Sequence, residues 1–175
     1  MSASTPGREI ERVWVLREAP AIPSDVPVEI WRIEQGYLAP AAEGEAELAR
    51  IGFPEGRLRR IVEPSGAERF VHTVKSGSGI ARIEHEREIT RAEFERDWPR
   101  TAGRRVVKTR RRARVGGLVW EIDVFDEMPL VMVEVELDDA AQRFEMPQWI
   151  AGLVVKEVSE DARYRNAALA MYGLP

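Results

Sequence analysis

Most of the chain alternates polar and apolar residues with a period of two, which is typical of β-strands rather than helices. We predict eight strands, near residues 8–16, 28–37, 57–63, 68–75, 79–89, 104–115, 117–125 and 130–138. Gly116 and Gly117 separate two of these strands and suit a tight hairpin turn. A second, flexible turn is predicted at 76–79.

Helical signals are few. Thr90 and Glu93 form a capping box, and Phe94 and Trp98 follow at a spacing of four, so a helix is predicted after Thr90. A last helix is predicted from 161 to 171, ended by Gly173, and a short one at 43–51. The proline- and glycine-rich stretches 17–27 and 39–56 are too short to separate domains, so residues 1–175 are expected to form one domain.

Several strands carry charge on one face and apolar residues on the other. The charged rows are Glu9 and Glu11; Arg82, Glu84, Glu86 and Glu88; Lys108, Arg110, Arg112 and Arg114; Glu121 and Asp123; and Glu134 and Glu136. For any single strand, exposure of these charges to water is the simpler interpretation, whether in a sandwich or a barrel. For the set, we favour a mainly β fold: a closed eight-stranded antiparallel tunnel with a charged lumen and a few flanking helices. The apolar faces would then pack outward against the helices and loops.

Composition narrows the function classes. The chain has 175 residues, and its 26 basic and 30 acidic residues leave a formal net charge of −4, which argues against a general nucleic-acid partner. The absence of cysteine excludes disulfides and thiolate chemistry. Because no apolar run approaches the roughly 20 residues that cross a bilayer, we expect no membrane partner and a cytoplasmic protein. The sequence leaves the oligomeric state open, a homodimer included.

The charged rows contain two kinds of binding chemistry. A Glu-x-Glu pair on a strand points both carboxylates to one side, and such hard oxygen ligands suit Mg²⁺ or Mn²⁺. The metal candidates are Glu9, Glu11, Glu134 and Glu136, with Asp123 as a weaker one. Arginine forks and lysine bind phosphate oxygens, and the strand cations are Arg57, Arg59, Lys75, Arg82, Lys108 and Arg110. Such a set matches the roughly four negative charges of a triphosphate. No Walker-type loop is present.

The ordered motifs resemble the CYTH family, the triphosphate tunnel metalloenzymes, over nearly the whole chain. The matching segments are Glu9-Ile10-Glu11-Arg12, Gln35-Gly36-Tyr37-Leu38, Arg57-Leu58-Arg59, Thr73-Val74-Lys75, Arg82-Ile83-Glu84-His85-Glu86, Lys108-Thr109-Arg110, Trp120-Glu121-Ile122-Asp123, Val133-Glu134-Val135-Glu136-Leu137, and the C-terminal Pro147, Trp149, Lys156-Glu157-Val158 and Arg163-Tyr164-x-Asn166. No single segment is specific, but the ordered set is.

The resemblance implies an eight-stranded tunnel in which carboxylates bind metal and basic residues hold phosphates. Glu9, Glu11, Glu134 and Glu136 match the metal-binding glutamates, and Glu9 and Glu11 are also the catalytic candidates. The implied reaction is hydrolysis of inorganic triphosphate or a similar compact polyphosphate with Mg²⁺ or Mn²⁺. Two alternatives stay open, an adenylate cyclase of class IV and a non-catalytic module that binds polyphosphate or nucleotide.

One position departs from the family signature, which has lysine two residues after the second glutamate. This chain has Val13 there. The substitution removes a phosphate-binding cation, and Arg112 or Lys156 are the candidates to replace it. His72 and His85 lack a partner at metal-ligand spacing and are expected to have no direct role.

Overall fold

The computed structural model describes residues 7–38, 52–53, 55–76, 81–139 and 141–175, without the side chains of 7–9, 75–76 and 81–84. The strands are β1 (Gly7–Leu16), β2 (Val28–Leu38), β3 (Gly56–Val62), β4 (Glu68–Ser76), β5 (Ala81–Ile89), β6 (Arg105–Val115), β7 (Leu118–Phe125), β8 (Val131–Leu137) and β9 (Val154–Glu157). The helices are α1 (Arg91–Asp97), α2 (Gln148–Ala151) and α3 (Asn166–Tyr172), with 3₁₀ turns at Trp98–Thr101 and Ala162–Tyr164.

All strand pairs are antiparallel. The strand order is β5-β4-β3-β2-β6-β7-β8-β1-β9, and the first residues of β1, 7–10, pair in addition with residues 81–84 of β5. The predicted mainly β antiparallel fold with few helices is therefore confirmed. The predicted count of eight was wrong, because the sheet also contains β9. Only four residues long and mostly exposed, β9 is too short to show the period-two alternation that identified the other strands.

The local sequence signals explain the turns and the helix starts. Gly116 and Gly117 both have positive φ, 61° and 79°, which the tight turn between β6 and β7 requires. The Thr90 hydroxyl accepts a hydrogen bond from the Glu93 amide, and the Glu93 carboxylate accepts one from the Thr90 amide, which confirms the capping box. The predicted C-terminal helix is divided into a 3₁₀ turn and α3, because Arg165 has extended backbone. The helix predicted at 43–51 and most of the turn at 76–79 lie outside the described residues.

Two of the three apolar clusters pack on the outer faces of the strands, as predicted. One cluster joins the outer faces of β1, β7 and β8 to α2 and includes Trp14, Trp120 and Ile150. A second joins β3 and β4 to α1 through Phe70 and Phe94. A third contains Val106, Phe125, Leu130, Met132 and Leu169, so α3 packs on the same strand faces that carry the charged rows. Among the described residues, no helix combines the length and the apolar character needed to cross a bilayer.

Candidate active site

A cavity of about 900 Å³ is lined by side chains from each of β1 to β8 and from the segment that follows β9. The alternation of the strands explains this arrangement, because every second residue of a strand points to the same side. Tyr164, Asn166 and Met171 of the C-terminal segment also line the cavity. A smaller pocket shares Glu11, Arg112, Glu121, Glu134 and Glu136 with the cavity and is lined in addition by Asp138 and residues 117–119.

Arg57 and Arg59 of β3 line one wall of the cavity. Arg57 Nη2 lies 3.4 Å from Thr73 Oγ1, and Arg59 Nη2 donates to Glu86 Oε2 at 2.5 Å. Tyr37 of β2 lies beside them: burial raises the pKa of its hydroxyl, and the charges of the two arginines oppose that rise. A guanidinium pair in a buried wall can bind phosphate oxygens in bidentate fashion.

Lys108 and Arg110 of β6 form a buried ion-pair network with the carboxylates of β7 and β8. Lys108 Nζ lies 2.5 Å from Asp123 Oδ2, and Arg110 donates to both oxygens of Asp123 at 2.7 Å. Arg110 also contacts Glu121, and it donates to Glu134 Oε2 at 3.1 Å. Since Asp123 is completely buried, these pairs compensate charges that water cannot solvate.

The pKa values in this network follow from burial and charge together. Burial lowers the pKa of Lys108, and the adjacent Arg110 lowers it further. Burial would raise the pKa of Asp123, but Arg110 and Lys108 outweigh that effect and hold it at about 2. Burial raises the pKa of Glu134 to about 7; Arg110 opposes that rise, and the negative charges of Asp123 and Glu11 add to it.

The donor chemistry of the acidic wall fits a hard divalent cation. Glu11, Glu121, Glu134 and Glu136 line the cavity and offer carboxylate oxygens, the ligands that Mg²⁺ and Mn²⁺ prefer. Glu134 is buried beside other carboxylates, which keeps its pKa high. A bound cation would stabilise its charged form. Within the described part of the chain, no three acidic or histidine side chains already stand close enough to hold an ion. The side chain of Glu9 is not among those described.

The structure brings most of the predicted site residues together. Seven line the cavity, namely Glu11, Arg57, Arg59, Lys108, Arg110, Glu134 and Glu136. Asp123 does not line it, because its oxygens hold Lys108 and Arg110. Lys156 is exposed on β9 with its ammonium 4.4 Å from the ring centroid of Tyr164, and it is not among the residues that line the cavity. The side chains of Glu9, Lys75 and Arg82 lie outside the described residues.

Sequence reasoning missed several polar side chains of the cavity. Gln35, Tyr37, Glu86 and Glu121 line it but were not among the predicted site residues. Strand parity could have found Glu121, two residues from Asp123. It could also have found Gln35 and Tyr37, which lie two and four residues from Ile33 on one face of β2. The ion pair between Arg59 and Glu86 joins β3 to β5, which are not neighbours, and no sequence spacing signals it.

Comparison with known proteins agrees with this geometry. The chain is 40% identical over 150 residues to an inorganic triphosphatase of Nitrosomonas europaea, a match that covers 79% of this chain and 96% of that protein. The chain belongs to the CYTH family of triphosphate tunnel metalloenzymes. It is also 37% identical over 101 residues to an inorganic triphosphatase of Acetivibrio thermocellus, covering 55% of this chain and 62% of that protein. No general family model matches.

A solved structure of a family member superposes over almost the full chain. The crystal structure of the inorganic triphosphatase NE1496 is similar with a TM-score of 0.58 and 33% identity, covering 95% of this chain and 97% of that one. Val13 stands where the CYTH signature has lysine. It lines the cavity directly opposite Glu134 on β8 and packs against the apolar cluster of Val106 and Leu169. Val13 thus adds to the apolar part of the cavity lining, where the signature lysine would add a cation.

Proposed function

We propose that this protein is a divalent-metal-dependent triphosphatase that hydrolyses inorganic triphosphate, or a similar compact polyphosphate, inside a β-tunnel. One observation carries the proposal: the four strands β1, β3, β6 and β8 bring Arg57, Arg59, Lys108 and Arg110 to the same cavity as Glu11, Glu134 and Glu136. Both named relatives are inorganic triphosphatases. The pairing of β1 with both β8 and β5 supports closure of the sheet around that cavity.

The basic residues bind and orient the substrate. Arg57 and Arg59 present guanidinium groups from β3, and Arg110 and Lys108 present charge from β6, held in place by Asp123 and the neighbouring carboxylates. Because phosphoryl transfer depends mainly on positioning and on stabilising negative charge, a fixed cationic wall is the expected machinery. Side chains of the C-terminal segment, Tyr164 and Asn166 among them, also line the cavity.

The acidic residues provide the metal site. Glu9, Glu11, Glu134 and Glu136 would hold Mg²⁺ or Mn²⁺, and the bound metal supplies an activated water and neutralises phosphate charge. Asp123 is left out of this set, since its oxygens are engaged by Lys108 and Arg110.

A turnover assay tests the proposal. We expect phosphate release from inorganic triphosphate in Mg²⁺ or Mn²⁺, slower release from ATP and thiamine triphosphate, and none in EDTA. Absence of turnover with all three substrates in both metals would contradict it. Formation of cyclic AMP and pyrophosphate from ATP, without orthophosphate, would instead support the cyclase alternative.

A further inference from the structure

Phe53, Glu55 and Gly56 lie just before Arg57, and β3 begins at Gly56. Gly56 has a φ of +105°, and a Cβ there would lie 2.6 Å from the Thr73 carbonyl oxygen and 2.8 Å from His72 Nε2. Only glycine fits at this position, because a side chain would collide with the backbone of β4 and with the His72 ring. Glu55 and Gly56 both line the cavity, next to Arg57.

His72 holds this segment from the outer face of β4. Its Nε2 lies 2.8 Å from the Glu55 carbonyl oxygen, and since a carbonyl only accepts hydrogen bonds, Nε2 carries the proton. The imidazole also stacks on the ring of Phe53, with centroids 4.0 Å apart and an interplanar angle of 15°. His72 is only 7% exposed.

The segment is held from the other side by the end of α1 and the turn that follows. Asp97 is completely buried, and its Oδ2 accepts from the Phe53 amide at 3.3 Å. Arg100 Nη1 donates to the Phe53 carbonyl at 2.7 Å and to Asp97 Oδ1 at 2.9 Å. Both backbone groups of Phe53 are thus hydrogen-bonded by an ion pair that lies outside the cavity.

We propose that His72, with Asp97 and Arg100, is a positioning residue for substrate binding: together they fix the backbone at Phe53 and Glu55 and thereby place Arg57 in the cavity. The inference rests on the proposed function, in which Arg57 binds phosphate. A guanidinium binds two phosphate oxygens well only when its backbone is held, and displacements of about 1 Å in such groups carry large penalties. The hydrogen bond to Glu55, rather than the ring contact with Phe53, transmits this effect, because it joins the main chain two residues before Arg57.

Two substitutions of His72 separate these contacts. His72→Phe keeps a ring against Phe53 and removes the donor, whereas His72→Gln keeps a donor at the reach of Nε2 and removes the ring. Phe70→Leu is the matched control, because Phe70 lies on the same face of β4, is equally buried at 7%, and packs on Phe94 of α1.

The experiment measures KM and kcat for inorganic triphosphate at saturating metal, together with the thermal midpoint of each variant. We expect His72→Phe to raise KM about tenfold, the cost of a weakened hydrogen bond to a charged group, and to change kcat less than twofold. His72→Gln should keep KM within about twofold of wild type. Phe70→Leu should lower the thermal midpoint and leave KM unchanged.

The proposal is overturned if His72→Phe leaves KM unchanged, if His72→Gln raises KM as much as His72→Phe, or if Phe70→Leu raises it equally. If His72→Phe does not fold, Arg100→Met, which removes the donor to the Phe53 carbonyl, is judged by the same KM criterion. A wild type without turnover would contradict the proposed function alone. Positioning is then tested by calorimetric titration with triphosphate in EDTA, where His72→Phe should still raise Kd about tenfold and an unchanged Kd would overturn the proposal.

Discussion

The two basic strands of the cavity, β3 and β6, lie on opposite sides of β2 and have different neighbours. On β6, Arg110 lies directly opposite Asp123 and Arg112 directly opposite Glu121, so each arginine pairs with a carboxylate of β7. On β3, the residues directly opposite Arg57 are Tyr37 and Thr73, and those opposite Arg59 are Gln35 and Val71. The arginines of β6 therefore pair with carboxylates of the adjacent strand, whereas Arg59 of β3 reaches its carboxylate partner, Glu86, across β4.

We expect the two walls, that of β6 and that of β3, to have different roles, the first in stability and the second in substrate binding. Buried cations that already pair with buried carboxylates stabilise the fold, and removing one leaves an uncompensated charge. On β3, the residues directly opposite the arginines are uncharged and the ion pair of Arg59 with Glu86 is partly exposed, so we expect these arginines to contribute less to the fold and to bind an anionic substrate. We therefore expect substitutions on β6 to lower stability as well as activity, and substitutions on β3 to lower substrate binding alone.

The largest expected effect is on the acidic side of the cavity. Glu134→Gln combined with Glu136→Gln should reduce metal-dependent triphosphate hydrolysis to background, because it removes two hard ligands. The fold should persist, since the change also relieves repulsion among carboxylates. Phosphate release and far-ultraviolet circular dichroism measure the two quantities. Undiminished turnover in the double variant would show that these carboxylates are not metal ligands.

The next effect concerns stability. Arg110→Met should lower the free energy of unfolding by about 3–5 kcal/mol, because it leaves the buried carboxylate of Asp123 without its main partner. Arg112→Met is the matched control on the same face of β6, and since its side chain is 25% exposed it should cost only about 1 kcal/mol. Urea denaturation measures both. Equal losses of unfolding free energy in the two variants would mean that burial of the network does not increase the contribution of Arg110 to stability.

The smallest of these effects concerns Val13. Val13→Lys would place a cation opposite Glu134 in the position of the family lysine. We expect turnover with triphosphate to rise about tenfold, less than the hundred- to thousandfold that one electrostatic contact can contribute. The gain is limited because the new side chain displaces valine from the apolar cluster around Val106 and Leu169. A fast wild type that the substitution leaves unchanged or impairs would mean that another cation already performs this role.

The sequence predicted the strands well because alternation is a local signal. The bounds of β1 to β8 agree with the predicted ranges within two residues. The charged residues Arg57, Arg59, Lys108, Arg110, Glu134 and Glu136 line the cavity. The roles of individual charges were less predictable. Asp123 has the same parity as Glu121, yet it is buried between Lys108 and Arg110, and only the packing of neighbouring strands distinguishes the two.

The role of the outer surface was also not predictable from spacing. His72 had no metal-spaced partner and was expected to have no direct role. In the structure it contacts Glu55, seventeen positions away, through a backbone carbonyl that no sequence pattern marks. Similarly, Lys156 was a candidate phosphate ligand, and in the structure its ammonium lies over the ring of Tyr164, a contact that no sequence pattern marks.

The measurement that tests the division of the two walls most directly is triphosphate binding by calorimetry in EDTA, with wild type and Arg57→Met combined with Arg59→Met. The account predicts that Kd rises at least about a hundredfold, since hydrogen bonds to charged groups contribute about 1.5–3 kcal/mol each. It also predicts a free energy of unfolding within about 1 kcal/mol of wild type, because the ion pair of Arg59 with Glu86 is partly exposed. An unchanged Kd, or a loss of stability as large as that of Arg110→Met, would contradict it.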